Sequence, residues 1–235
     1  MEILTLIPAR GGSERLPAKN IKLLSGKPLI AYTIQVAKKS KHINRIIVST
    51  DDFDICRIAR EYGAEVPFMR PREIAGPQST EMEFLEHALN WLKEDENYVP
   101  DFIVLLYPTA PLRTTTSIDK AIECMIRHPE ANSLRSVCSC HEHPYKMWVI
   151  QGEYLVPFVP LEDSSMHTWS YQRLPQVYIQ NASIYITRPQ TIRNKHSPIG
   201  DVVLPFIMDE RESMDINTPY DFALVEKILA EEKNT

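Results

Sequence analysis

The chain has 235 residues, 43% of them hydrophobic and 24% charged, with a net charge of −5, a globular composition with length for one or two domains and a sizeable core. The acidic balance argues against a broad nucleic-acid-binding surface, and no apolar run of about 18 residues suggests a membrane span. The start MEILTLIPARGG lacks the basic residues and long apolar segment of a secretory signal, and four cysteines are too few for a disulfide framework, so a cytoplasmic location is expected.

Ile3 to Ile7 is a branched apolar run that reads as a buried strand, closed by Pro8 and a glycine pair. A helix is expected over Pro28 to Val36, with proline in its first turn. Arg45 to Ser49 reads as a second strand. Thr50 is the expected cap of the next helix, with Asp51, Asp52 and Asp54 in its positive N-terminal turn. A short strand is expected near Glu65 to Met69. Thr80 and Glu83 have capping-box spacing, and Phe84, Leu85, Ala88, Leu89 and Leu92 then share one helical face. Phe102 to Tyr107 is the most apolar strand, followed by a helix over Thr116 to Ile126 and a strand over Ser133 to Cys138.

The alternation lapses after about residue 140. Segments 146–156 and 170–187 are rich in polar, aromatic and proline residues without clean helical periodicity, and read as an inserted arm of strands and loops. Strand character returns at Val202 to Met208. A last helix starts at Thr218, with Pro219 at its first position and Phe222, Val225 and Leu229 on its buried face. The fold class expected is α/β: a doubly wound, mostly parallel sheet, Rossmann-like, in a single domain over 1–235, with the arm at about 141–182.

The chain holds only seven glycines, under half the usual share of about 7%, yet Gly11 and Gly12 are adjacent. They lie in the loop Pro8-Ala9-Arg10-Gly11-Gly12-Ser13-Glu14-Arg15-Leu16-Pro17-Ala18-Lys19-Asn20, where the first strand of such a sheet ends and ligands bind. Glycines let backbone N–H groups approach phosphates, and Arg10, Arg15 and Lys19 supply positive charge. The loop is neither a P-loop nor a dinucleotide fingerprint, because the G-K-[ST] and G-x-G-x-x-G patterns are absent. A tight turn with solvated basic side chains would also account for it.

The loop resembles the signature of the acylneuraminate cytidylyltransferase family, the CMP-sialic acid synthetases and their relatives. The resemblance runs almost end to end. Val48-Ser49-Thr50-Asp51, Arg70-Pro71 with Glu73-Ile74-Ala75, and Tyr107-Pro108-Thr109-Ala110-Pro111-Leu112-Arg113 match successive family motifs. So do His143-Pro144-Tyr145-Lys146, Gln172-Arg173-Leu174-Pro175-Gln176, Asn181-Ala182-Ser183-Ile184-Tyr185 and Met214-Asp215-Ile216-Asn217-Thr218 with Asp221. The resemblance implies transfer of a cytidylyl group from CTP to an acidic nonulosonic sugar. The sugar's anomeric hydroxyl would attack the α-phosphate in line and release pyrophosphate.

On that resemblance Ala9, Arg10, Gly11, Gly12, Ser13 and Lys19 would cradle the triphosphate, whose transition-state charge needs fixed cations and N–H donors. Asn20 and Arg70 would meet the base edge, with Ser79 or Thr80 adding a polar contact. Arg10, Lys19 and Asp215 would be the catalytic groups. Asp215, with Asn217, would carry Mg²⁺, which prefers oxygen ligands and bridges phosphates. The sugar would meet Tyr107, Pro108, Thr109, His143, Lys146, Tyr171, Gln172, Arg173 and Asn181. A homodimer through the arm is implied; neither nucleic acid nor membrane is an expected partner.

Four positions depart from the family pattern. Glu14 stands where a lysine is usual. Tyr107 replaces a glutamine near the sugar. Asn217 replaces the second aspartate of a D-x-D pair, though its carbonyl oxygen can still ligate. Tyr171 replaces an arginine that meets the sugar carboxylate in sialic acid enzymes, a charge that tyrosine cannot supply. Either another cation, such as Lys146 or Arg173, takes that role, or the sugar is not sialic acid. Alternative readings are nucleotidyl transfer to a sugar 1-phosphate with GTP or CTP, and a non-catalytic nucleotide-binding subunit.

Other residues have plainer readings. The Cys138-Ser139-Cys140-His141-Glu142-His143 run lacks a standard zinc spacing, and alternate residues of a strand share a face. The resemblance implies instead that His141 and His143 line the sugar site, His143 near the substrate without serving as an acid–base catalyst. Asp51 and Asp52 suit a helix start better than a metal. Trp148, Trp169, Tyr154 and Tyr178 in the arm suit subunit packing.

Overall fold

In the computed structural model, residues 1–160 and 163–233 are described. Strand β1 (Ile3–Pro8) ends at the glycine loop, and two-residue strands β2 (Leu23–Leu24) and β3 (Lys27–Pro28) lead into α1 (Leu29–Lys38). There follow β4 (Arg45–Ser49), α2 (Phe53–Glu61), α3 (Glu81–Glu96), β5 (Phe102–Leu105), α4 (Thr115–Arg127) and β6 (Ser133–Ser139). The arm carries β7 (Trp148–Gln151) and β8 (Tyr154–Pro157). The chain returns through β9 (Tyr178–Thr187), α5 (Pro189–Lys195), β10 (Val203–Ile207) and α6 (Pro219–Lys233).

The central sheet has the order β10-β6-β9-β5-β1-β4. β1 pairs in parallel with β4 and β5, and β10 with β6, while β9 runs antiparallel between β5 and β6. The period-2 geometry of a strand separates its two faces. Ile3 and Ile7 of β1 join Ile30, Ile34, Ile55, Ile118 and Ile122 of α1, α2 and α4 in one core. Leu4 and Leu6 join Phe84, Leu85, Leu89 and Leu92 of α3 and Ile192 of α5 in the other. The expected doubly wound α/β fold is therefore present. A third cluster, Leu16, Leu24, Leu29, Leu112, Ile216, Phe222 and Val225, packs α6 against the start of α1 and the end of the glycine loop.

Several local expectations are corrected. The cap of α2 is Asp52, whose carboxylate accepts from the Ile55 N–H (2.9 Å), while Thr50 Oγ1 accepts from the Asp52 N–H (3.1 Å). The strand expected at Glu65 to Met69 is a single bridge between Ile47 and Glu65, because Pro67 has no N–H to extend the ladder. The segment 170–187, read as belonging wholly to the arm, gives β9 to the central sheet. Its pattern was masked at Ala182, which has φ 50° and donates its N–H to Tyr185 Oη (3.0 Å). The ladder to β6 shifts register opposite, between Arg135 and Val137, so the inside–outside alternation breaks mid-strand. Helix α5 went unread, although Pro189 occupies its first turn.

Candidate active site

The glycine loop is fastened to the residues that follow β4. The Ala9 N–H donates to the Ser49 carbonyl (3.0 Å) and the Gly11 N–H to Asp51 Oδ1 (2.9 Å). A Cβ at Gly11 would lie 2.7 Å from Asp52 Oδ2 and 2.9 Å from Asp52 Cβ, whereas one at Gly12 would meet nothing within 4 Å. The two glycines thus differ: Gly11 permits a close approach of chain to chain, and Gly12 faces open space. Asp51 and Asp52 act as the loop's anchors and a helix cap.

A cavity of ≈ 500 Å³ opens beside this loop at the end of β1 and β5. Arg10, Ser13, Glu14, Arg15, Lys19, Asn20, Arg70, Ser79, Tyr107, Pro108, Thr109 and Asn217 line it, together with Glu81 and Phe84 of α3. Residues from separate motifs are held there by specific bonds. Asn20, buried, donates its side-chain N–H to the Arg10 carbonyl (3.0 Å). Buried Arg70 donates Nε to Ser49 Oγ (3.0 Å) and Nη2 to the Ser49 carbonyl (2.6 Å), and its guanidinium lies 4.9 Å from the centre of the Phe84 ring. Burial lowers the Arg70 pKa to about 10, a guanidinium still charged at neutral pH. Ser79 Oγ accepts from the Gly76 N–H (2.9 Å), and Thr80 caps α3.

Lys19 Nζ donates to the Ile216 carbonyl (3.1 Å), and the Ile216 N–H donates to the Thr109 carbonyl (2.8 Å). One peptide hub thereby joins the glycine loop, the 107–113 loop and the segment bearing Asp215. Burial lowers the Lys19 pKa, and the Asp215 carboxylate opposes that shift. Arg113, fully buried, braces the same loop through Nη2 to the carbonyls of Tyr107 (2.6 Å) and Ala110 (3.1 Å). Asp221 accepts from the N–H groups of Asn217 (2.9 Å) and Thr218 (2.7 Å), which fixes the start of α6.

Asp215 Oδ2 accepts from Asn217 Nδ2 (2.6 Å), while Asp215 Oδ1 is buried with no hydrogen-bond partner among the described residues. A buried carboxylate oxygen left unpaired near Lys19 suits Mg²⁺, which commonly takes one or two carboxylates and completes its shell with phosphates and water. Among the described residues no group of three His, Cys, Asp or Glu side chains could hold a metal alone. Asp215 and Asn217 therefore fit a cation shared with a ligand.

The remaining residues expected at the sugar lie away from this cavity within the chain. His143 Nδ1 accepts from the Tyr145 N–H (3.1 Å) and Nε2 donates to the Pro175 carbonyl (3.0 Å), so both ring nitrogens are engaged. Lys146 Nζ donates to the carbonyls of His167 (3.0 Å) and Trp169 (2.8 Å), and Arg173 lies 3.7 Å over the Trp169 ring. Tyr171 and Gln172 are exposed in the arm. Asn181 is buried between Ser136 Oγ (2.6 Å) and Ser213 Oγ (2.8 Å). Sequence reasoning missed Glu81. Its one signal was an acidic residue at the first position of a capped helix, which the helix dipole alone would explain.

A loop bearing Arg10, Arg15 and Lys19 at the carboxyl edge of an α/β sheet has the chemistry that polyphosphate ligands require. A family model described as cytidylyltransferase matches residues 4–155, and the chain belongs to that family of nucleotidyl-transferring enzymes. It is 38% identical to CMP-N,N'-diacetyllegionaminic acid synthase of Legionella pneumophila, with 97% of each chain covered. It is 31% identical to N-acylneuraminate cytidylyltransferase of Escherichia coli, over 95% of this chain and 51% of that one. Among solved structures, CMP:2-keto-3-deoxy-manno-octonic acid synthetase complexed with CTP shares the fold at TM-score 0.70 and 16% identity, covering 99% of this chain and 100% of that one.

Proposed function

We propose that the chain transfers the cytidylyl group of CTP to the anomeric hydroxyl of an acidic nonulosonic sugar, releasing pyrophosphate. The observation that carries this reading is the convergence of Arg10, Ser13, Lys19, Asn20 and Arg70 on one cavity, in a chain alike over its length to a synthase named for a CMP-nonulosonic acid. Arg10 and Lys19 hold the triphosphate by charge, and Ser13 adds a polar contact. Arg70 and Asn20 face the base. As the α-phosphorus is attacked, negative charge grows on its oxygens, and Lys19, already held by the Ile216 carbonyl, stabilises it with Arg10. The sugar hydroxyl is the nucleophile, so no protein nucleophile is needed. Asp215 and Asn217 would hold Mg²⁺, which when bound would supply neutralisation of phosphate charge.

The reading extends to a homodimer formed through the arm, in which Ile150, Tyr154, Leu155 and Phe158 are exposed, and to a single domain over 1–235. It extends also to work in the cytoplasm. Cys56, Cys124, Cys138 and Cys140 are free thiols, and among the described residues no helix is long and apolar enough to cross a membrane. Pyrophosphate release measured over four nucleoside triphosphates and a panel of sugars tests the reaction. Release with CTP and a nonulosonic acid is expected. Release only with a sugar 1-phosphate, or nucleotide binding with no release from any pair, would overturn it.

A further inference from the structure

On the β5 and β6 side of the cavity, three side chains from different elements meet. Glu81 opens α3, Tyr107 follows β5, and Arg135 lies in β6. Tyr107 Oη donates to Glu81 Oε2 (3.1 Å). Arg135 Nη2 donates to Glu81 Oε1 (2.8 Å) and Nη1 to Oε2 (3.3 Å). Arg135 is buried; its Nη2 also reaches the Pro198 carbonyl (3.3 Å), and its guanidinium lies 4.2 Å over the Tyr185 ring. Tyr185 meets Tyr107 edge-on at 6.1 Å. Only Glu81 and Tyr107 of this group line the cavity.

Hydrogen-bond accounting gives this wall a chemical sense. A carboxylate offers about four lone-pair sites and no donor. Three bonds reach Glu81 from Tyr107 and Arg135, which leaves acceptor capacity on Oε1. Burial and the Glu81 charge raise the Tyr107 pKa far above its ordinary value, so it stays a phenol. Its one proton is committed to Glu81, and only its lone pairs remain. Neither side chain can swing aside, because Arg135 and the Tyr185 ring hold them from behind. Elsewhere in its lining, Arg10, Lys19 and Arg70 present donors and positive charge.

We propose that Glu81 and Tyr107 form an acceptor-only wall that selects the sugar by a hydrogen-bond donor, a hydroxyl or an acylamino N–H, on the part facing it. The inference rests on the reading of the chain as a transferase acting on an acidic sugar, and names the determinant of its specificity. Glu81 and Tyr107 are half-buried in the cavity wall, and a sugar that fills the cavity takes the remaining water from these fixed acceptors; an acceptor then left unmatched is costly, so the wall rejects analogues lacking that donor. It offers a carboxylate no donor, so the sugar's acid group turns to the cations instead. Arg135 is a positioning residue that touches Glu81, not the substrate.

The test is steady-state kinetics of wild type, Glu81→Gln and Tyr107→Phe with CTP against N-acetylneuraminate and a diacetamido nonulosonic acid. Tyr107→Phe leaves the Glu81–Arg135 pair intact and guards against a folding defect in Glu81→Gln. Glu81→Gln is expected to raise the KM for the preferred sugar about tenfold or more, the value of a hydrogen bond to a charged group, and Tyr107→Phe about threefold to tenfold, the value of a neutral one, with the CTP KM changed about twofold at most. An unchanged sugar KM, or a rise in the CTP KM instead, overturns the inference while leaving the transferase reading intact. A wild type that releases pyrophosphate with neither sugar nor any other nonulosonic acid overturns both.

Discussion

At the scale of single residues, the glycine pair divides into two unlike positions. Gly11 is wedged against Asp52, with a hypothetical Cβ 2.7 Å from the carboxylate oxygen, while Gly12 has open space around it. Gly11→Ala must displace Asp52, which also caps α2 through the Ile55 N–H. It is expected to cost about 1–3 kcal/mol, as overpacking does, and to weaken CTP binding because Arg10 moves with the loop. Gly12→Ala is expected to leave the unfolding midpoint nearly unchanged. Denaturant unfolding of the two variants checks this, and equal losses would refute the distinction. The loop's charge and motif were legible in the sequence, but this asymmetry was not, because it depends on a residue of another segment. Glu81 was hidden for the same reason: its partners Tyr107 and Arg135 stand 26 and 54 residues away.

At the scale of elements, α3 shows how a local signal becomes part of the site. Thr80 Oγ1 accepts from the Glu83 N–H (3.4 Å) and Glu83 Oε2 accepts from the Thr80 N–H (2.6 Å), the reciprocal pair that its spacing predicts. The cap fixes the first turn, and Glu81 is its first residue. Thr80→Ala is expected to lower stability by about 1 kcal/mol, read as a lower denaturant midpoint with an unchanged slope; a neutral result would mean that packing of Phe84, Leu85 and Leu89 alone sets the helix start. Elements with one regular period, such as β1, β4 and α3, were readable in the sequence. β9 was not, because Tyr178 and Ile179 are exposed while Ser183 and Ile184 to Thr187 are buried, with the left-handed Ala182 between. No single periodicity spans a strand that changes surroundings halfway.

At the scale of the whole molecule, the arm is the part that the fold leaves unfinished. β7 and β8 form a separate two-stranded sheet, and an isolated hairpin is marginal in water. Lys146 ties its base to the carbonyls of His167 and Trp169, and Trp148 stacks on His167 at 4.0 Å. Those contacts hold the stem but cover little of the blade. Ile150 and Tyr154 are each 75% exposed, and Leu155 and Phe158 each 61%. A concentrated apolar patch of this kind marks an interaction surface, and in the proposed homodimer a second copy covers it. The patch is remote from the chain's own cavity residues, so charge can be placed on it without touching Arg10, Lys19 or Asp215. Ile150→Asp with Leu155→Asp is expected to convert a dimer to a monomer at micromolar concentration, measured by size exclusion with light scattering. The central sheet, whose cores lie elsewhere, should keep its circular dichroism. A wild type that is monomeric in the same measurement would remove the arm from the assembly, and a double variant that stays dimeric would place the interface on another face.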